Sequence, residues 1–313
     1  MIGFLIRRVL QIVPVAIVMC AVVFTTAFML PGDPTLTILG ENAPAAARAA
    51  LRAEMGLDRP IPLQFIDWLG RALTGDLGKS FKTGEPVMDM LLTRIPVTLE
   101  LTILAITLAA CIGVPLGIIA ALRRNSWVDT LVSILSISSL AMPFFWVGML
   151  LIMLFTLRLG WLPPSGYVPF FEDPLRNLQL MIMPVMTVGM AYAALLMRQT
   201  RAAMIEVLLQ DYVRTARAKG AAEPRIIIRH ALRNALIPVI TVIGLQFGGL
   251  IGGAVVTETV FALPGLGRMI TNAIFERDYM VVQGAILVVV VGVILVNLVT
   301  DITYSLLDRR VQL

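Results

Sequence analysis

The sequence contains six charge-free windows, each long enough to form a helix that crosses a lipid bilayer. A spanning helix needs about 20 apolar residues at 1.5 Å rise per residue, and these windows are 21 to 28 residues long. They lie between Arg8 and Asp33, Glu100 and Arg123, Asp129 and Arg158, Arg176 and Arg198, Arg233 and Glu258, and Asp278 and Asp301. The sequence therefore predicts an all-α membrane protein with six transmembrane helices.

The composition excludes most other classes of protein. Only 14% of the 313 residues are charged and 58% are hydrophobic, whereas a soluble domain carries about 25% charged residues. A soluble enzyme and a disordered chain both need more charge than this. The net charge of +5 is explained by basic loops beside a membrane, so no nucleic-acid partner is predicted.

The distribution of lysine and arginine predicts the orientation of the chain. With a cytoplasmic N-terminus, Arg7, Arg8, Arg123, Arg124 and the segment 198–233 all lie inside, and that segment alone holds eight of the 25 cations. Cytoplasmic loops of membrane proteins carry an excess of such residues. We predict an N-in, C-in, multi-pass protein of the inner or plasma membrane, whose first helix is a retained anchor because no cleavage signal follows it.

Three parts of the chain are predicted: residues 1–32 with the first helix, an extracytoplasmic loop domain 33–95, and a five-helix core 96–313 that contains the cytoplasmic loop 198–233. The outer loop has two helical patterns, Ala43–Met55 and Pro62–Leu73. A small cap on the outer ends of the spans is the favoured interpretation. A role in substrate guidance or receptor docking is the alternative.

No catalytic, cofactor-binding or metal-ligating residues are predicted in this chain. Cys20 and Cys111 lie inside apolar windows, and His230 is the only histidine, so neither a disulfide framework nor a zinc-protease motif can form. The stretch Gly75–Ser80 resembles a phosphate loop. Leu73, however, occupies the position where that motif requires its first glycine.

The spans also lack a charge near their middle. Ion-coupled carriers commonly keep an ionisable residue there as a relay, so a secondary carrier is a less favoured alternative. If the protein moves a solute, the energy is expected to come from a partner.

The fifth window is rich in glycine, and three of its glycines form two consecutive GxxxG steps. Small residues at this spacing let helices approach closely in lipid. Helix packing is the favoured interpretation and the lining of a pathway is the alternative, for the following residues: Gly244, Gln246, Gly248, Gly252 and Glu258.

The cytoplasmic loop has the pattern of a helix, a break at Gly220 and Pro224, and a second helix. A solvated basic loop is the simplest interpretation. The small residues favour a compact knob that a partner contacts. The residues that we assign to this contact are Tyr212, Arg214, Thr215, Ala216, Arg217, Ala218, Lys219 and Gly220.

The string Tyr212–Gly220 (YVRTARAKG), followed by RHALRNALIP at 229–238, resembles the cytoplasmic loop of ABC importer permeases of the dipeptide/oligopeptide family. Further matches keep their order along the chain: PGDP at 31–34, GDLG at 75–78, GWLP at 160–163, TETVF at 257–261, PGLG at 264–267 and RDY at 277–279. The PGDP element and the long outer loop resemble the first, B-type, permease of the pair.

This resemblance implies the six-span importer permease fold, paired with a second homologous permease. Two cytoplasmic ATPases that bind ATP and Mg would take up the coupling loop, and an extracytoplasmic binding protein would deliver a di- or oligopeptide. Arg214 stands where the general motif of such loops has a glutamate, so contacts known in other branches do not transfer directly. Glutathione, a nickel complex, an opine or an oligosaccharide are alternative cargoes.

Overall fold

The computed structural model describes residues 2–29, 35, 39–40, 42–54 and 56–307, and within them it is mostly helical with no strand. The helices are α1 (Ile2–Met29), α2 (Ala45–Glu54), α3 (Ile61–Leu73), α4 (Val87–Leu122), α5 (Trp127–Ala141), α6 (Phe144–Leu151), α7 (Pro174–Leu208), α8 (Asp211–Ala218), α9 (Arg233–Gly253), α10 (Val255–Val260), α11 (Leu266–Glu276) and α12 (Tyr279–Leu307). Two π-helical segments, Ile152–Arg158 and Ile226–Leu232, continue α6 and precede α9.

Four helical stretches in the described residues are long and apolar enough to cross a membrane: Val87–Leu122, Pro174–Leu208, Glu223–Ile251 and Tyr279–Thr303. They cover the second, fourth, fifth and sixth charge-free windows. Residues 9–29 of the first window lie in α1, and within it Val13–Thr25 is apolar but shorter than a full span. The count of six spans and their orientation stay predictions.

The third window does not form one straight helix. It is divided into α5 and the helix Phe144–Arg158, which are bent by 101° relative to each other. The cause is Pro143, because the residue before a proline is driven out of the helical region. Met142 accordingly has an extended backbone, with ψ of 127°. This window is therefore a broken span or a re-entrant pair.

Contacts between residues group the chain into two units. The first unit comprises Met1–Thr98 and Pro264–Ile294, and the second comprises Leu99–Leu263 and Leu295–Leu313. The predicted three-part division of the sequence into 1–32, 33–95 and 96–313 stays a prediction.

In the first unit, the amphipathic helix α3 packs on α1, with Trp68 almost fully buried. The ring of Trp68 lies 5.6 Å from that of Phe24, and Phe65 contacts Phe24 edge to face at the same separation. The helix predicted at Pro62–Leu73 is thus present, although Ile66 on its surface is exposed. Aromatic pairs of this kind contribute about 0.5–1.5 kcal/mol beyond their buried area.

In the second unit, α7 is the central helix and α5, α6 and α9 pack around it. Its buried residues face several neighbours at once, so α7 forms much of the core. The chain continues from α7 into the short helix α8 (Asp211–Ala218).

Candidate functional site

The predicted cytoplasmic loop contains the short helix α8, and this helix ends in a left-handed turn at Gly220. The glycine has φ of +77°, a conformation in which other residues are strained. The amide of Ala221 donates to the carbonyl of Ala216, and that of Gly220 donates to Arg217. These bonds satisfy carbonyls that a helix end leaves unpaired. The break predicted at Gly220 is therefore a glycine-dependent helix cap.

Two side-chain contacts join α8 to the second leg of the loop. Arg217 forms a bidentate pair with Glu223, with N–O distances of 2.6 and 3.3 Å. The Nδ2 of Asn234 donates to the hydroxyl of Tyr212 at 2.8 Å. Both contacts bridge across Gly220, so the helix and the leg that follows it are held in one arrangement.

The buried side of α8 is small and its exposed side is basic. Val213 is fully buried and Ala216 is half-buried, whereas Arg214 and Lys219 are exposed. Arg214 contacts Asp211 at 3.4 Å, in a pair that is itself exposed. All eight predicted coupling residues thus lie in one helix–turn, and seven of them are exposed: Tyr212, Arg214, Thr215, Arg217, Ala218, Lys219 and Gly220. Their contact with a partner stays a prediction.

An ion pair that the sequence analysis missed lies beside this loop. Arg201 on α7 donates to both carboxylate oxygens of Asp129 on α5, at 2.6 and 2.8 Å. The Asp129 side chain is only 7% exposed, and it also accepts from the amide of Asn125. The sequence showed both residues only as charges near the ends of windows. Their predicted placement on the same side of the membrane was the one available signal.

The glycines of the fifth window lie in α9, where Gly244 faces the side chain of Thr300 on α12. Gly244 and Gly248 are buried, and Gln246 is half-buried. Gly252 lies at the end of the same helix. Glu258 lies in α10 and is fully buried. The geometry at Gly244 is a close helix contact, and the lining of a pathway stays a prediction.

A second close helix contact was missed in the second window. A Cβ atom on Gly113 of α4 would lie 2.5 Å from the carbonyl oxygen of Ala193, and one on Gly117 would lie 2.6 Å from that of Met197. Gly189 of α7 meets α4 in the same way, through Leu108 and the carbonyl of Ala105. Gly113 and Gly117 are themselves a GxxxG pair, so the sequence signal was present.

Replacing Gly113 or Gly117 with alanine is expected to push α4 from α7. A methyl group has no space against a backbone carbonyl, and overpacking of this kind costs about 1–3 kcal/mol. Thermal aggregation of the detergent-purified protein measures the change. Gly249→Ala is the matched control, because no atom of the described residues lies within 4 Å of its Cβ position. Equal thermal stability of all three variants would contradict the assigned contact.

A half-buried polar contact joins α4 to the loop after the third window. The hydroxyl of Tyr167 donates to Oε2 of Glu100 at 2.7 Å. Burial, and then the hydrogen bond to Glu100, raise the pKa of Tyr167. The phenol therefore stays neutral and remains a donor throughout the physiological range.

Tyr167→Phe is expected to lower stability by about 1–2 kcal/mol, because it leaves a half-buried carboxylate without its donor. Since the folded pKa of Tyr167 is raised, its contribution is fully present below about pH 10, the ordinary tyrosine pKa, and is lost as the pH rises through the raised value. Thermal unfolding between pH 6 and 11 tests this. Tyr192→Phe is the control, because no hydrogen bond joins the Tyr192 hydroxyl to the described residues.

Long apolar helices in glycine-mediated contact, with a capped basic helix–turn between two of them, are the architecture of a polytopic membrane protein. The chain belongs to the family described as binding-protein-dependent transport system inner membrane components, whose model matches residues 113–313. The model for the N-terminal part of such components matches residues 1–102. It is thus a multi-pass membrane permease and not the catalytic subunit of its transport system.

The chain is similar over its whole length to several curated permeases. It is 41% identical over 312 residues to a putative peptide transport system permease protein of Brucella abortus, covering 100% of this chain and 99% of the relative. The same identity and coverage hold for a glutathione transport system permease protein of Escherichia coli K12. A dipeptide transport system permease protein of Alkalihalophilus pseudofirmus is 40% identical and is covered completely.

Among solved structures, the inward-facing MetNI methionine ABC transporter contains a chain with the same fold. The match has a TM-score of 0.56 at 18% identity, and it covers 72% of this chain and 99% of that chain. At this identity the likeness concerns the fold alone.

Proposed function

We propose that this chain is a permease subunit of an ATP-driven importer of di- and oligopeptides. The observation that carries the proposal is the full-length similarity, near 41% identity, to permeases named for peptide and dipeptide transport. Six spans in the N-in, C-in orientation complete the proposed architecture. The fifth and sixth windows fit it as the helices Glu223–Ile251 and Tyr279–Thr303.

In the proposed assembly, a second homologous permease completes the pathway and an extracytoplasmic binding protein delivers the peptide. Two cytoplasmic ATPases hold ATP and Mg. Helix α8 and the turn at Gly220 insert into one of them. What supports this contact is the arrangement of the loop, in which Val213 is buried while Arg214, Ala218 and Lys219 are exposed around a fixed cap.

The proposed mechanism requires a stiff connection between this contact and the spanning helices. Closure of the ATPases on ATP moves the helix–turn, and rigid helices convey the movement to the pathway. The Arg217–Glu223 and Tyr212–Asn234 contacts hold α8 to the second leg. The Asp129–Arg201 pair fixes the start of α5 to α7. No covalent step occurs in this chain.

Glutathione is a second candidate cargo, favoured by the equal similarity to the glutathione permease of Escherichia coli. Glutathione is itself a tripeptide with one unusual linkage. A binding protein can therefore distinguish it from ordinary di- and oligopeptides.

The experiment is to co-purify the transporter with its binding protein and to measure ATPase activity with different ligands. Stimulation by dialanine or trialanine, and not by glutathione, supports peptide import. Stimulation by glutathione alone selects the second candidate. If neither raises ATPase activity while a nickel complex, an opine or an oligosaccharide does, both proposals are wrong.

A further inference from the structure

The second unit contains a cavity of about 510 Å³ between α5 and α7. Small-molecule pockets commonly measure about 300–1,000 Å³. The residues that line it include Ser133 and Ile137 of α5, and Leu195, Arg198, Arg201 and Ala202 of α7. Because Ile137, Arg198 and Ala202 are exposed, the cavity opens to the surface of the chain. It is thus large enough and accessible enough to hold part of a ligand.

Two polar contacts hold the antiparallel helices α5 and α7 together beside this cavity. Near the start of α5, Arg201 pairs with Asp129 at 2.6 Å. Further along α5, the Ser136 hydroxyl donates to the carbonyl of Ala194 at 3.0 Å. At 1.5 Å rise per residue, the two contacts are about 10 Å apart along the helices. The walls of the cavity are therefore fixed by contacts within this unit, and they do not require a partner chain.

The lining of the cavity changes from polar to apolar along the helix axes. Ser133 lies about 6 Å nearer than Ile137 to the first residue of α5. On α7, which runs in the opposite direction, Arg198 lies about 4.5 Å nearer than Leu195 to the last residue of the helix. The polar and charged groups therefore share the end of the cavity near the loops, and the apolar groups share the end toward the middle of the helices. This order suits an amphiphile with a polar head and an apolar tail.

The polar end of the cavity has a positive charge that the described residues do not balance. The charge of Arg201 is already balanced by Asp129. Arg198, in contrast, is exposed, and no side-chain ion pair or hydrogen bond joins it to the described part of the chain. The described residues that line the cavity include no carboxylate. Arg198 is thus available to an anionic group.

The outer surface of α5 beside the cavity is apolar and exposed. Three of its exposed side chains are Leu131, Ile134 and Leu135. Trp127, the first residue of α5, is 76% exposed, and tryptophan is enriched where the lipid headgroups meet water. In a membrane, these side chains place the polar end of the cavity near the headgroups and its apolar end beside the acyl chains.

We propose that this cavity binds the headgroup of an anionic phospholipid of the cytoplasmic leaflet. Arg198 binds the phosphate through parallel N–H donors, and Ser133 and Gln199 offer further hydrogen bonds. The acyl chains continue along Leu195 and Ile137. Basic pockets between spanning helices on the cytoplasmic side bind anionic headgroups in this way. The choice of leaflet rests on the proposed orientation, whereas the chemistry of the site is independent of the cargo.

Lipid binding to the purified permease, kept in detergent with its co-purifying subunits, tests this site. Dioleoylphosphatidylglycerol is compared with dioleoylphosphatidylcholine, which has the same acyl chains but no net charge, and native mass spectrometry counts the bound lipids. We expect the phosphatidylglycerol to bind at least about tenfold more tightly, the effect of a charge-assisted hydrogen bond. Arg198→Met is expected to remove most of this difference. Arg198→Lys, which keeps the charge, should keep part of it.

Two further variants separate the cavity from the general surface charge. Ala202→Leu narrows the cavity without changing any charge, so it should also weaken phosphatidylglycerol binding. Ala202 is exposed, so the fold should tolerate the larger side chain. Arg229→Met is the matched control, because Arg229 is exposed on the same predicted side and is not among the lining residues. Thermal unfolding of each variant identifies those that misfold, and Arg198→Lys with Ala202→Leu keeps the test valid in that case.

Equal binding of the two lipids overturns the proposal, as does phosphatidylglycerol binding that either Arg198→Met or Ala202→Leu leaves unchanged. A loss in Arg229→Met as large as in Arg198→Met would mean that surface charge alone attracts the lipid, and it overturns the site. Glycerol 3-phosphate and trialanine are then added as competitors. Displacement of the lipid by the first at a similar concentration would assign the site to a free phosphate, and displacement by the second would assign it to the peptide pathway. Either result overturns the lipid assignment.

The outcome is separate from that of the proposed function. The binding assay measures no uptake, so a failure of peptide import leaves a lipid site that responds to Arg198 intact. Peptide import by a permease that does not distinguish the two lipids leaves the function intact and removes the site.

Discussion

Asp129→Ala is expected to destabilise the second unit by about 1.5–3 kcal/mol, the range for losing hydrogen bonds to a charged group. The substitution leaves the guanidinium of Arg201, whose side chain is 31% exposed, without its bidentate partner. The Asn125 amide also loses its acceptor. Thermal aggregation of the purified permease, together with the folded yield in the membrane, measures the loss.

Removing both charges together tests whether the pair itself is responsible. In the variant Asp129→Leu with Arg201→Met, neither charge is buried without a partner, so stability should exceed that of either single variant. Arg59→Ala is the matched control. Arg59 pairs with Asp67 at 2.9 Å, a distance similar to that of the Asp129–Arg201 pair, but the side chains of Arg59 and Asp67 are 64% and 55% exposed. Exposed pairs contribute about 0–1 kcal/mol. A loss for Asp129→Ala no greater than for Arg59→Ala would contradict the assignment.

Local patterns predicted those parts of the fold that depend on one segment at a time. Charge-free windows became long helices because a helix satisfies its own backbone groups and the side chains need only be apolar. The end of α8 was predicted as a break at Gly220, and the left-handed cap found there is a common way for a helix to end at glycine. The amphipathic pattern around Trp68 likewise gave α3 and its buried side.

Contacts between distant segments could not be predicted in the same way. The Asp129–Arg201 pair joins residues 72 positions apart, and nothing in either local pattern selects the partner. The hydrogen bond from the Leu266 amide to the Thr98 hydroxyl likewise joins residues 168 positions apart. Pro143 and the Gly113–Gly117 pair did carry local signals. The third window was predicted as one span because of its length, in spite of Pro143. The helix contact was assigned to the fifth window because it contains more glycines than the second.

Replacement of Gly220 by tryptophan is expected to lower uptake at least about tenfold while the permease stays folded in the membrane. Among the residues that the structure describes, nothing lies within 4 Å of a Cβ atom at Gly220. A large side chain therefore has room there, and the internal cost is that of the left-handed backbone, about 1–2 kcal/mol. A loss of transport beyond that cost must arise where the turn contacts a partner. Uptake into proteoliposomes, with ATP hydrolysis measured in parallel, gives the two quantities to compare.

Two matched variants separate the partner contact from the backbone conformation. Gly75 has a similar left-handed conformation, with φ of +84°, and in the described part of the chain no atom lies within 4 Å of its Cβ position. It lies, however, on the predicted outer side. Gly75→Trp should therefore keep most of the uptake. Gly220→Asn should keep more uptake than Gly220→Trp, because asparagine tolerates the left-handed region. Full uptake by Gly220→Trp would show that no partner packs against this turn, since a tight contact cannot admit an indole ring where it holds a hydrogen atom.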